Sequence, residues 1–396
     1  MRSLRTRILA LALALAASAA SAAGANATAP GESDSPVVRI GLSAPISLAE
    51  MHGIGTEVRD GAQMAIDDLN ARGVRLGARA VRLELVVVDD HAEPFQDAVL
   101  ATVRAMTQAH VAGVVGPMNS GVALRTAGLY AQAGVPMISP SATHPGLTRM
   151  GLANVFRLQP DDAALAQRLV AWAARERHLR RVSIVTDASG YGQVMSTVFR
   201  LATQQAGLKV DDEVKLAPGQ TDFAAVVSRL GMAHSDAVLV AGLDGAGAAL
   251  YRAWHEHGGT APLIGGDGFC SLAFARLALP VSRGDVLCAR QGQHATEPPA
   301  ALTAFGQRFA QRFDHAPDAE DDDAPYAYDA VRVLVAAMVD AGSSDPAVYL
   351  PHLRATTLAD SLVGPFHFDA QGDVPDGTIA LFTYDGTQRV YLQPLP

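Results

Sequence analysis

The sequence predicts an α/β fold of two similar, doubly wound parallel-sheet lobes, and three observations carry that expectation. Short apolar runs alternate with longer segments whose apolar residues recur at helical spacing, as strands alternate with crossover helices. This β-α-β-α-β-α-β rhythm runs through once and then starts again. Two runs stop abruptly in small hydroxyl and amide residues, as buried parallel strands do at the carboxyl edge where ligands bind. Roughly 360 residues beyond a leader also exceed one average core, so two domains are expected.

The chain opens with Arg2, Arg5 and Arg7, an uninterrupted apolar stretch over residues 8–17, and the small-x-small pattern Ala20-Ser21-Ala22. This is the plan of a cleaved secretory signal peptide over residues 1–22. About 10 apolar residues fall short of the roughly 20 that span a bilayer. No Cys follows the cleavage site to carry a lipid. Residues 23–36 are small, polar and Pro/Gly-bearing, and read as a disordered leader. The full chain carries a net charge of −9; loss of three Arg and no acid with the signal segment leaves 28 basic against 40 acidic residues, or −12. Nucleic acid and anionic membrane surfaces are poor partners for such a chain.

Residues 37–42 (Val-Val-Arg-Ile-Gly-Leu) read as the first strand. Residues 57–71 follow as a helix, with Val58, Ala62, Ala65, Ile66 and Leu69 on one face. Residues 81–89 form the second strand, alternating before Val86-Val-Val. A helix over 94–109, a strand over 111–115, a helix over 121–133 and a strand over 135–138 complete the first half. The second half repeats the order: helix 161–178, strand 181–186, helix 192–206, strand 210–216, helix 223–232, strand 237–241, helix 245–257 and strand 262–265. Further on, the acidic run 318–323 precedes a helix containing Tyr326 and Tyr328, which suits a solvated helix start favoured by the dipole. The junctions Pro140-Ser141 and Gly266-Asp267 occupy equivalent places in the two halves, so facing lobes would set these loops across a cleft.

Two of the strand ends carry the most chemistry: Gly113-Val-Val-Gly116-Pro-Met-Asn119-Ser120 and Val135-Pro-Met-Ile-Ser139-Pro-Ser141-Ala142-Thr143. Hydroxyls and free backbone N–H groups at helix starts make a receptor for a small anionic head group such as a carboxylate. The plainer alternative is that Ser120 and Thr143 are helix N-caps. Cys270 and Cys288 are the only cysteines. In an oxidising compartment the pair is expected to be bridged, the alternative being two separately buried thiols.

Further segments join these in a fixed order: Gly61-Ala-Gln-Met-Ala-Ile-Asp-Asp-Leu-Asn70, Val115-Gly116-x-x-x-Ser120, Ile138-Ser-Pro-Ser-Ala-Thr143, Asp187-x-x-x-Tyr191-Gly192, Gly265-Gly-Asp267-Gly268 and Gly364-Pro-Phe-His-Phe-Asp369-x-x-Gly372-Asp. Over residues 37–390 the chain thereby resembles the periplasmic leucine/isoleucine/valine-binding proteins of ABC importers, with the type I periplasmic-binding fold. The resemblance implies a hinge crossed three times, with one lobe over 37–160 plus 291–363 and the other over 161–290 plus 364–396. It implies that Asn119, Ser120, Ser141, Ala142 and Thr143 hold the ligand's α-carboxylate and part of its α-ammonium. A hydroxyl can serve both, because it donates and accepts. Tyr191 would close over the ligand from the second lobe and Asp267 would pair with the ammonium. The rival role for Asp267 is helix capping, and for Tyr191 a rim aromatic.

The chain also departs from the family. Ala92 and Asn119 stand where a first-lobe disulfide would be, and Cys270/Cys288 is a different arrangement. In the loop 43–55, Ser47 is followed by Leu48 rather than Gly, and Met51 or His52 is expected to face the side-chain pocket. Leu243 and Asp244 stand where aromatic side chains are frequent. Gly242-Leu-Asp-Gly245-Ala-Gly247 imitates a dinucleotide loop without its spacing. His255 and His257 are two apart on a helix, poor spacing for one metal, and read as solvated surface. No G-x-S-x-G elbow or Cys/His pair suggests an enzyme. The expectation is a soluble, monomeric periplasmic receptor without cofactor or metal, delivering a small amino acid-like ligand to an ABC importer permease. A sensor module for a membrane receptor or kinase is the first rival and a two-lobed enzyme the second. An amide, urea-like compound or aromatic acid remain alternative ligands.

Overall fold

The computed structural model describes residues 35–47, 52–92, 96–278, 280–292, 299–314 and 323–396. The expected signal peptide, all of the leader before Ser35, Met51, the His52 side chain and most of the acidic run 318–323 lie outside the described residues. Among the described residues, no single helix is long and apolar enough to cross a membrane.

The first sheet is built from β1 (Val37–Ala44), β2 (Val74–Leu76), β3 (Arg79–Asp89), β4 (Gly113–Val115), β5 (Met137–Ser139) and β6 (Val155–Arg157), in the order β2-β3-β1-β4-β5-β6. Its crossovers are α1 (His52–Arg72), α2 (Gln96–Gln108) and α3 (Ser120–Gln132). Every pairing from β3 to β6 is parallel, while β2 turns back on β3 as an antiparallel hairpin. The second sheet starts after α4 (Asp162–Glu176) and holds β7 (Arg181–Thr186), β8 (Lys209–Lys215), β9 (Ala237–Ala241), β10 (Leu263–Gly265) and β11 (Val286–Gln291). Between these strands lie α5 (Gly190–Gln205), α6 (Ala224–Ala233), α7 (Asp244–Glu256), a single 3₁₀ turn (Asp267–Phe269) and α8 (Leu272–Leu277). The chain then returns to the first sheet as α9 (Ala300–Phe313), α10 (Asp323–Ala341) and α11 (Pro346–Ala355). It ends as the antiparallel pair β12 (Ile379–Asp385) and β13 (Gln388–Leu395), which completes the second sheet in the order β13-β12-β11-β10-β9-β7-β8.

Each sheet is covered on both faces, which is why its central strands read as near-continuous apolar runs. Ile40, Leu42, Ala62, Ile66, Val331 and Leu334 form one core layer of the first lobe, and Met106, Val114, Ala127 and Tyr130 the other. The close approach of α1 to α10 needs Gly61, where a Cβ would sit 2.3 Å from the Ala324 carbonyl oxygen. Tyr349 of α11 donates from its buried hydroxyl to the Ala112 carbonyl at 2.7 Å. In the second lobe, Leu165, Leu169, Ile184 and Phe199 pack on one face, and Val227, Tyr251, Phe269 and Phe274 on the other.

The chain passes between lobes at 158–161, 292–299 and 356–378, and the described parts of these passages lie together. Gly292 N donates to the Thr378 carbonyl at 2.9 Å, and Gln291 Nε2 donates to the Pro160 carbonyl at 3.3 Å. Gly377 lies against the Pro160 ring, where a Cβ would approach to 2.4 Å. The link between the two sheets is thus crossed three times.

Candidate functional site

At the carboxyl edge of the first sheet the ends of β4 and β5 are neighbours, and the two tips are stitched together. Gly116 permits the first turn: its φ is +101°, and a Cβ would lie 2.2 Å from the Ser43 carbonyl oxygen. Ser139 Oγ donates to the Pro117 carbonyl at 2.6 Å and accepts from Ala142 N at 2.9 Å. Ser141 Oγ donates to the Met118 carbonyl at 3.3 Å, and Ser120 Oγ accepts from His144 N at 3.2 Å. Helix capping does not account for Ser120 or Thr143. Asn119 is the N-cap of α3 and makes no side-chain capping bond, Ser120 is already the first helical residue, and no helix follows Thr143 until α4.

Behind this loop stands Arg157, a fully buried charge at the end of β6 that sequence reading did not single out. Its Nε and Nη2 bond the two Asp373 oxygens at 2.6 Å each, a bidentate pair, and its Nη1 donates to the His144 carbonyl at 2.8 Å. The Asp161 carboxylate lies 3.6 Å from Nη2. Burial pushes the Asp373 carboxyl upward, but the Arg157 bonds and charge outweigh it, and the group ends below the ordinary carboxylate value of 3.8. Asp161 also caps α4, accepting from Ala164 N at 2.7 Å. The loop carrying Ala142 and Thr143 is therefore held from behind by a satisfied ionic network. The only sequence signal was Asp373, last residue of the Gly364–Asp373 motif, whose partner lies 216 residues earlier.

On the second lobe, Tyr191 stands in the first turn of α5 and Asp267 opens the 3₁₀ turn after β10. Tyr191 Oη donates to Asp267 Oδ1 at 2.7 Å and accepts from Gly268 N at 3.2 Å. The glycines of the Gly265–Gly268 motif let the ring lie on this turn: a Cβ on Gly266 would come 2.8 Å from the Tyr191 hydroxyl, and one on Gly268 2.6 Å from the ring. Burial first, then the Asp267 charge, push the Tyr191 hydroxyl well above its ordinary value, so it stays a donor. Asp267 does not cap: the N-cap of its turn is Gly266. Cys270 and Cys288 are joined in a disulfide just beyond the turn, linking it to β11. Tyr384 Oη donates to the Ser271 carbonyl at 2.9 Å on the same segment. Leu243, 45% exposed, lies close to Gly268 and hence beside Tyr191.

One residue joins the two halves of the site, and no sequence motif indicated it. Asp162, the first residue of α4, is 1% exposed; its backbone N–H donates to the Thr143 carbonyl at 2.9 Å. The Thr143 side chain hydrogen-bonds the Asp162 carboxylate and favours its charged form. Burial and the facing Asp267 charge act the other way and prevail, so the carboxyl sits well above its ordinary value. Thr143, Asp162, Tyr191 and Asp267 thus form one electrostatic unit. Ser120, Ser141 and Ala142 are bonded within the first-lobe tips and make no hydrogen bond to that unit.

The family described as periplasmic binding protein matches residues 37–388. The Leu/Ile/Val-binding protein BraC3 of Rhizobium johnstonii is 29% identical over 358 residues, covering 89% of this chain and 93% of the relative. Among solved structures, the branched-chain amino acid transporter substrate binding protein LivJ from Streptococcus pneumoniae, in complex with isoleucine, superposes with a TM-score of 0.77 at 25% identity, over 90% of this chain and 100% of that one. An ABC transporter substrate-binding protein from Desulfitobacterium hafniense in complex with Leu gives 0.75 at 25% identity, over 90% and 100%.

Proposed function

This chain belongs to the periplasmic binding protein family, and from that premise we propose that it captures a small amino acid in the cleft between its lobes and delivers it to an ABC importer in the periplasm. The observation that carries the reading is the Tyr191–Asp267 pair. A carboxylate fixed by a neutral donor and left with unused acceptor capacity is a receptor for an ammonium group. The hydroxyls and backbone N–H groups of Asn119, Ser120, Ser141 and Thr143 serve the ligand's carboxylate, and Ala142, whose N–H is held by Ser139 Oγ, fixes the loop that presents them. The lobes divide at 37–160 plus 291–363 and 161–290 plus 364–396, the mature chain acts as a monomer, and residues 1–22 are removed on export.

Relatives and neighbours named for leucine, isoleucine and valine support an amino-acid ligand. Ligand preferring the closed arrangement shifts the open–closed balance, and the permease reads the shift. Mass spectrometry of whatever co-purifies with the denatured mature protein, followed by calorimetry with that compound, tests the reading. An amino acid bound one to one is the expected result. Turnover of the compound, or a ligand without an ammonium group, would overturn it.

A further inference from the structure

Resting on that reading, we infer that Cys270, Cys288 and Tyr384 are positioning residues of the site. From inside the second lobe they fix the turn that presents Asp267, so the Cys270–Cys288 bridge sets ligand affinity as well as stability. The turn is poorly able to hold itself. It is three residues long (Asp267–Phe269) and of the 3₁₀ kind, whose hydrogen bonds have poorer geometry than those of an α-helix. Two backbone bonds close it, from Phe269 N to the Gly266 carbonyl at 3.2 Å and from Cys270 N to the Asp267 carbonyl at 3.0 Å. Its two faces differ: Asp267 and Gly268 are half-buried, whereas Phe269 and Cys270 are wholly buried. The half-buried face carries the carboxylate and the Tyr191 contacts.

The buried face is fixed from β11, β12 and β13. Cys288 stands on β11 directly opposite Gly265 of β10, and its bond to Cys270 ties the end of the turn to the strand beside the one that enters it. Tyr384 of β12 donates its hydroxyl proton to the Ser271 carbonyl at 2.9 Å and shares it with the Phe269 carbonyl at 3.3 Å. Arg389 of β13, lying over the Phe382 ring, donates to the Cys270 carbonyl at 2.5 Å. Phe269 meets Phe274 edge-on, with ring centres 4.6 Å apart. The carbonyls of residues 269, 270 and 271 thus all find donors on the strands behind them, and the bridge adds a covalent tie.

A carboxylate held rigidly where the ammonium will meet it loses little freedom on binding. One on a loose turn must be ordered by the ligand, and affinity falls accordingly. Without the bridge the turn keeps its backbone bonds but gains room to drift from Tyr191, and Asp267 drifts with it. The effect runs through Asp267 and so vanishes when that carboxylate is absent, which a loss of overall stability would not do.

Calorimetry on the mature chain, well below its melting temperature, tests this with the twenty standard L-amino acids as probes. The tightest is carried into Cys270→Ala/Cys288→Ala, Asp267→Asn and the variant that combines them. Removal of the bridge is expected to weaken binding about fivefold or more, the lower end of coupling between distinct positions. In the Asp267→Asn background the same cysteine change should alter affinity by less than about twofold, whereas alongside Ser120→Ala of the other lobe its effect should persist in full, since sites that share no partner add. Tyr384→Phe keeps the ring and removes only the hydroxyl. It should weaken binding in the same Asp267-dependent manner, and it decides the matter if the cysteine variant does not fold. Affinity equal to wild type in these variants, or equal losses with and without the Asp267 carboxylate, would overturn the inference and leave the proposed function standing. A wild type that binds none of the amino acids would overturn both.

Discussion

A carboxylate offers about four lone-pair positions, and the Tyr191 hydroxyl fills one of those on Asp267 at 2.7 Å. The remaining capacity is what an ammonium would use. Asp267→Asn is expected to weaken amino-acid binding by roughly 2–4 kcal/mol, the range for removing one partner of a buried charge pair, as read by calorimetry. Unchanged affinity would mean that the ammonium sits elsewhere. The first-lobe hydroxyls make a different prediction. Because neither Ser120 nor Thr143 caps a helix, Ser120→Ala should cost the ligand-free protein only the bond accepted from His144 N, about 0.5–1.5 kcal/mol. The ligand-induced rise in melting temperature should shrink in addition, since that rise reports affinity by mass action. A variant that loses ligand-free stability yet keeps the full ligand-induced rise would place Ser120 outside the site. At this scale the strand-tip hydroxyls, Tyr191 and Asp267 could be picked out in the sequence because motif spacing marks them. Asp162 could not. Beside Asp161, at the start of a periodic helical run, it reads as one more acid favoured by the helix dipole, and only the fold turns it toward Asp267.

The elements follow the same logic. Strands β1, β3, β7 and β9 were predictable from apolar runs because both faces of each sheet are covered, and α1 through α7 from their periodicity. Strand β6 escaped because its three residues end in Arg157, a charge that no apolar-run rule admits to a core. Its partner Asp373 is supplied by a distant segment, and that pairing exists only in three dimensions. Asp373→Asn should therefore cost about 3–5 kcal/mol in denaturant unfolding, because it takes from the buried guanidinium its bidentate partner and leaves Asp161 at 3.6 Å. The pH dependence has a definite sign. The folded-state Asp373 carboxyl lies below the ordinary 3.8, so its stabilisation is fully present above that value and is lost as pH falls through the depressed one. In acid titration the wild type should lose stability that Asp373→Asn no longer has to lose. The disulfide acts on a second element, the turn that carries Asp267. With cysteines 18 positions apart, the chain-entropy model assigns the bridge about 3 kcal/mol. The Cys270→Ser/Cys288→Ser double variant should show that loss in chemical denaturation.

For the whole molecule the decisive feature is the bundle of three passages between the lobes, because a ligand held, as proposed, by Thr143 on one side and Asp267 on the other gains both contacts only when the lobes meet. The passages touch one another at three places: Gly292 on Thr378, Gln291 on Pro160, and Gly377 on the Pro160 ring. Gly377 bears no proposed ligand contact, yet a Cβ there would come within 2.4 Å of Pro160. Gly377→Val should therefore change the lobe angle without touching the site. An altered open–closed balance lowers apparent affinity by the fraction of molecules that can still close. An effect of about 1–3 kcal/mol is expected, the usual size of coupling between distant positions. Small-angle scattering separates this from local damage. The wild type should become more compact on adding the amino acid that binds it. Asp267→Asn should do so only at higher ligand concentration. Gly377→Val should start from a different ligand-free radius and respond less. A wild type whose radius is the same with and without saturating amino acid would mean that the lobes do not move on binding, and that the permease reads something other than closure.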